Sequence, residues 1–175
     1  MRYFILTMSL SAFQILAFGQ ERVSPVIKST GAIYKIPEAV EKPDPSLHYR
    51  IVVDLQTADG GESQVTYAMN NLARMINLHA VGGVDGLEVV GVVHSTNTRS
   101  ILTDEAYMKR YGVPNPNTAL IKELVDKGVK IFVCGQSLRA RNVDPSEVMA
   151  EVGFATAALT VLTTYQLRGF AALRF

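Results

Sequence analysis

The sequence has one cysteine, no tryptophan and three histidines (His48, His79, His94) in 175 residues. A single thiol excludes an intramolecular disulfide framework and any all-cysteine zinc site. The histidines show no H-E-x-x-H spacing, so metal chemistry would need carboxylates, and neither a metal nor a cofactor is expected. An excess of one charge sign is also missing: 17 Lys and Arg stand against 16 Asp and Glu. Nucleic-acid binding by bulk electrostatics needs a basic excess or stripe, so no nucleic-acid partner is expected. An acidic, disordered chain is excluded by the same balance. No G-x-S-x-G motif occurs, which argues against a hydrolase. What is present is a neutral, 48% hydrophobic chain, long enough to bury a sizeable core.

Residues 1–19 read as a secretory signal peptide. Arg2 precedes an apolar run from Tyr3 to Phe18, and small residues, Ala17 and Gly19, sit at −3 and −1 of a cut before Gln20. The competing reading is a retained anchor, but the run is shorter than the roughly 20 apolar residues of a span, and Ser9, Ser11 and Gln14 dilute it. With no cysteine at the cut, a lipoprotein is disfavoured. Losing Arg2 leaves 16 basic against 16 acidic residues. The mature chain is expected to be periplasmic or secreted, in an oxidising compartment, and off the membrane.

Residues 20–47 form a Pro-rich arm with Pro25, Pro37, Pro43 and Pro45. Lys42-Pro43-Asp44-Pro45 cannot lie inside a helix. The piece Ala32 to Ile36 could lie on the domain as an extended strap; a partly ordered tether is the other reading.

Residues 48–175 alternate strand and helix. Tyr49–Leu55 and Leu87–His94 are nearly continuous apolar strands, and Val129–Cys134 is a third. Glu62–His79 shows helical spacing through Val65, Met69, Leu72, Ala73 and Ile76, with Asp59 or Ser63 as N-cap and Gly82-Gly83 as the stop. Ser95–Tyr111 holds one or two short helices, and Thr118–Lys127 is a further one. Short helical pieces follow at Ser137–Arg141 and Pro145–Ala150. A strand at Gly153–Ala157, a helix at Ala158–Leu167 and a strand at Phe170–Leu173 complete the chain. This alternation predicts βαβ units and a mostly parallel sheet with both faces covered.

Open α/β sheets carry their sites at the carboxyl ends of the strands. Cys134 and His94 both sit there. On neighbouring strands their backbones would lie about 5 Å apart. Cys134 also stands at a strand-to-helix turn, where helix amides favour a thiolate, and Arg139 and Arg141 add positive charge nearby. The competing readings are a small buried hydrophobe for Cys134 and a satisfied strand-end residue for His94. Other features read as structural: Asp59–Ser63 as a turn and cap, Gly82–Gly86 as a connection, Asp54 as a cap or turn. Tyr107, Tyr111 and Pro114–Asn117 form a loop near the same sheet edge.

The segment from Lys127 through Val133-Cys134-Gly135-Gln136-Ser137-Leu138 to Arg141 resembles the DsrE/DsrF-like family, whose cysteine lies in a G-V-x-…-V-C-x-x-[ST]-L setting. Val92-Val93-His94 and Asn70-Asn71-Leu72-Ala73-Arg74 are similar to that family too, and the likeness runs from Tyr49 to about Phe175. The resemblance implies a three-layer α/β/α fold with a five-stranded parallel sheet, the strands of His94 and Cys134 being neighbours. It also implies a homo-oligomer, trimer or hexamer. Better-known members are cytoplasmic sulfur-relay proteins in which the cysteine carries sulfur as a persulfide. Carried over, this makes Cys134 the candidate sulfur carrier, with His94 a positional partner. A secretion signal, a Pro-rich arm and the lack of a second cysteine depart from the relay proteins.

Two readings remain open. In one, Cys134 does thiol chemistry, either as a thiol-redox group or as a carrier that takes sulfane sulfur from a donor protein or small thiol and passes it on. In the other, the chain is a non-catalytic oligomeric binding module with Cys134 buried and inert.

Overall fold

The computed structural model describes residues 21–175; the signal-like segment lies outside the described residues. The arm opens with two short antiparallel strands, β1 (Arg22–Val23) and β2 (Ile33–Tyr34). A five-stranded sheet follows: β3 (Tyr49–Leu55), β4 (Leu87–Val93), β5 (Lys130–Cys134), β6 (Gly153–Ala155) and β7 (Ala171–Arg174). Its order is β6-β5-β4-β3-β7 and every pairing is parallel. The helices are α1 (Tyr67–Val81), α2 (Asp104–Tyr111), α3 (Thr118–Asp126), α4 (Gly135–Ala140) and α5 (Ala158–Leu167).

Side chains alternate across the sheet, as the period-two geometry of strands requires. Ile51, Val53, Leu55, Val89, Val93, Ile131 and Val133 pack with residues of α1 to α4. Val52, Val90, Val92 and Cys134 face the other way, onto Ala158 and Val161 of α5 and onto Phe170. This is the expected three-layer α/β/α architecture; among the described residues, α1 to α4 cover one face and α5 the other.

Local signals misplace several boundaries; β6, for one, stops at Ala155, two residues short of the expected Ala157. α1 starts at Tyr67, not Glu62, and neither Asp59 nor Ser63 caps it. The preceding turn is held from a distance: Asn117 Oδ1 accepts from the Thr66 amide at 3.0 Å, and the Asp59 carbonyl accepts from the Tyr67 amide at 3.2 Å. α4 begins two residues early, directly after Cys134. The stretch Pro145–Ala150 holds only a 3-10 turn, Pro145–Glu147, closed by an Asp144/Glu147 capping box.

The arm is a strap on its own domain. Ile27 is fully buried in the core. The buried Asn77 side chain of α1 accepts from the amides of Val26 and Ile27 at 3.0 and 2.9 Å and donates to the carbonyls of Ile27 and Gly31 at 3.0 and 3.1 Å. Glu123 of α3 accepts from the amides of Lys28 and Ser29. Ordered backbone is thus fixed over residues 26–31, whereas Ile33–Tyr34 of the expected strap pairs with β1.

Candidate functional site

Parallel register brings the expected residues together. Val93 of β4 is paired with Val133 of β5, so the next step along the two strands is His94 beside Cys134. Asp54 on β3 lies opposite Val92 on one side and Arg174 of β7 on the other. Asp54 is two residues beyond Val52, and His94 two beyond Val92, so both share the α5 face with Cys134. The carboxyl edge of this face therefore carries a row: Arg174, Asp54, His94, Cys134.

Within the row His94 bonds to Asp54, not to the thiol. Its Nε2 donates to Asp54 Oδ1, and Arg174 Nε lies 3.8 Å from Asp54 Oδ2. Asp54 is therefore neither a cap nor a turn residue; it orients the imidazole and fixes which ring nitrogen carries the bonded proton. The sequence could place Asp54 at a strand end, but the pairing spans 40 residues and no local pattern reveals it.

Cys134 closes β5 and is the residue from which α4 starts. It is 5% exposed and belongs to the apolar cluster beneath α5. Burial alone pushes the thiol up. The Ala158 amide at the start of α5, the Ser137 hydroxyl and amide and the Gln136 amide pull it down, and they outweigh burial, so the net shift is downward. Two helix N-termini thus serve one sulfur. Ser137 is the residue that composition left unremarked. Its Oγ accepts from the Ser95 amide at 3.2 Å, which leaves the hydroxyl proton to face the sulfur. Ser95 itself holds φ +55°, an uncommon conformation for serine, directly after His94. The expected arginines contribute otherwise: Arg139 and Arg141 are exposed and are not among the groups that lower the thiol.

Gly135 completes the turn. A Cβ there would stand 3.0 Å from the Ala155 carbonyl of β6, a tight contact that would push α4 and β6 apart by a few tenths of an ångström. Ser137→Ala should raise the Cys134 pKa and slow alkylation at pH 7 several-fold, with the unfolding midpoint little changed. Arg139→Ala should leave the rate unchanged. Stopped-flow alkylation checks both; equal rates for wild type and Ser137→Ala would remove Ser137 from the site.

Among the described residues, no group of three or more His, Cys, Asp or Glu could hold a metal ion, and no helix is long and apolar enough to cross a membrane. The loop around Asn115 and Asn117 is structural. Asn115 donates to the carbonyls of Ser100 and Leu102, and Tyr107 is buried with its hydroxyl bonded to the Glu62 carbonyl.

Known proteins share this frame. MTH1491 of Methanobacterium thermoautotrophicum, a protein of unknown function, superposes with TM-score 0.57 at 20% identity, over 73% of this chain and 99% of that one. The ychN protein of E. coli gives TM-score 0.54 at 17% identity, over 73% and 99%. At these identities the likeness is one of fold. No curated protein sequence matches. The family model of the DsrE/DsrF-like family matches residues 50–175, which include all of the parallel sheet but Tyr49 and the whole Asp54–His94–Cys134 row, and the chain belongs to that family.

Proposed function

We propose that this protein is an exported, homo-oligomeric sulfur carrier that holds sulfane sulfur on Cys134. The observation that carries this reading is the placement of the thiol, at the end of β5 and the start of α4, in the core yet facing the Ala158 amide, the Ser137 hydroxyl and amide and the Gln136 amide, donors that favour its anion. A purely structural cysteine has no use for such donors and is raised by burial.

The chemistry needs no external oxidant or reductant. The Cys134 thiolate attacks a terminal sulfur of a polysulfide; a new S–S bond forms, the old one breaks, and the shortened polysulfide leaves with the electron pair. An acceptor thiolate, on a protein or a small thiol, then attacks the outer sulfur. Cys134 leaves as thiolate and the acceptor becomes the persulfide. Charge is conserved at both steps. The helix amides and Ser137 stabilise the anionic sulfur, and His94, oriented by Asp54, stands one strand step away to take part in proton movement.

Export is supported by the Met1–Gly19 pattern. Oligomerisation is supported by the thin cover of one sheet face. Among the described residues α5 is its only helix, Leu159 and Leu167 are 75% and 89% exposed, and all four residues of the edge strand β7 are exposed. A second copy would cover such apolar surface and such an open edge. Sedimentation velocity of the mature chain should show a trimer or hexamer, and Leu159→Glu combined with Leu167→Glu should lower the mass; a monomer for wild type would contradict the assembly.

The direct test of the carrier is intact mass after incubation with polysulfide and removal of excess reagent. A gain of one sulfur atom, reversed by a reducing thiol, is expected. One observation favours a second reading, a binding module with an inert cysteine: the thiol is 5% exposed. Absence of any sulfur gain would select that reading for polysulfide donors.

A further inference from the structure

A second site lies on the opposite side of the sheet, beginning two residues past His94. It is a cavity of about 260 Å³ walled by Thr96, Thr98, Arg99, Arg110, Tyr111 and Arg141, with Leu102 and Val143 as its apolar part. Three guanidinium groups share this small space, and no carboxylate is in the wall. Glu147 is the one acid that answers them, pairing with Arg110 at 2.6 Å. Lys109 adds a further positive charge near that same carboxylate. Among the described residues, neither Arg99 nor Arg141 has a carboxylate within ion-pair distance.

The two unpaired arginines are held differently. Arg99 is fixed by one terminal nitrogen, which donates to the carbonyls of Ala58 and Gly60 at 2.6 and 2.8 Å. Its Nε is buried and finds no acceptor among the described residues. Its other terminal nitrogen, Nη1, makes no hydrogen bond among the described residues, and that free N–H edge is what an anion in the cavity would meet. Arg141 is exposed and closes the cavity from the end of α4. Thr98 is 1% exposed and donates its one hydroxyl proton to the Ser95 carbonyl, so it shapes the wall and the donors for an anion come from the arginines.

We propose that this cavity binds a small tetrahedral oxyanion of the sulfate, thiosulfate or phosphate class, held between Arg99 and Arg141. Guanidinium groups recognise such oxygens through paired charge-assisted hydrogen bonds. The volume suits the anion with several waters, each occupying about 30 Å³. The site does not depend on sulfur transfer at Cys134.

The test is calorimetric titration of the mature chain with sodium sulfate, thiosulfate and phosphate, at an ionic strength held constant with sodium chloride. Saturable binding of at least one of the three is expected, and their relative affinities identify the natural source. Arg141→Ala should weaken binding about tenfold, because one charge-assisted contact is lost, and Arg141→Lys should weaken it less. Arg139→Ala, outside the cavity, should leave affinity unchanged. Arg99→Lys, which keeps the charge but loses the forked geometry, gives a second variant. No saturable heat with any of the three anions would overturn the proposal. So would equal affinity in wild type and Arg141→Ala.

Discussion

Cys134→Ser should abolish the polysulfide-dependent mass gain while leaving the fold intact. The loss is expected to be complete, because the chain has one cysteine and no other side chain can form a persulfide. Serine fits the site. It is slightly smaller, and the donors from Ala158, Ser137 and Gln136 that face the sulfur can face a hydroxyl oxygen instead. The unfolding midpoint should therefore fall little. Asp54→Asn should behave differently from Cys134→Ser. It removes the carboxylate partner of His94 but leaves the thiol and the donors that face it, so the sulfur gain should persist. A mass gain retained in Cys134→Ser would mean that the added sulfur is adsorbed and that Cys134 carries nothing.

Gly31→Ala should produce the largest loss of stability. Gly31 has φ +72°, and a Cβ there would lie 2.6 Å from both Ala73 Cβ and the Arg74 amide nitrogen of α1. The left-handed conformation costs an L-residue about 1–2 kcal/mol. Overpacking against a helix backbone that cannot move aside adds about 1–3 kcal/mol. A total of roughly 3 kcal/mol corresponds to a fall of about 10 °C in Tm for a chain of this size. The same residue ties down two clamps, since its amide donates to Asn70 Oδ1 and its carbonyl accepts from Asn77. The arm should therefore detach over residues 26–31, and limited proteolysis should cut there first. Gly61→Ala is the control: open space surrounds that position and its Tm should be nearly unchanged. Equal Tm values for wild type and Gly31→Ala would show that the arm is not docked.

The parts of the fold that were legible in the sequence are those written in local pattern. Tyr49–Leu55 and Leu87–Val93 are continuous apolar strands because both faces of a parallel sheet are buried. The helix Ala158–Leu167 and the position of Cys134 at a strand end were readable for the same reason. What local pattern could not show is polar and long-range. The arm is held by Asn70, Asn77 and Glu123, whose partners lie 39 to 95 residues away. Each of these three reads as an ordinary surface residue on its own helix. The start of α1 was lost likewise, because Asn117 secures the Thr66 amide from 51 residues off. In the site, strand-end geometry placed Cys134 and His94 together, but the Asp54 carboxylate and the Ser137 hydroxyl gained their roles only from the fold.

The central claim is that the donors around Cys134 lower the pKa of its thiol despite its burial. The pH dependence of its alkylation in the folded, mature protein tests this most directly. The account predicts a reaction at pH 7 faster than that of a free thiol of ordinary pKa, with a midpoint below about 8.5 that moves up in Ser137→Ala. Slow alkylation at pH 7 with a midpoint at or above that value would contradict it, and Cys134 would then be a packing residue of the α5 face.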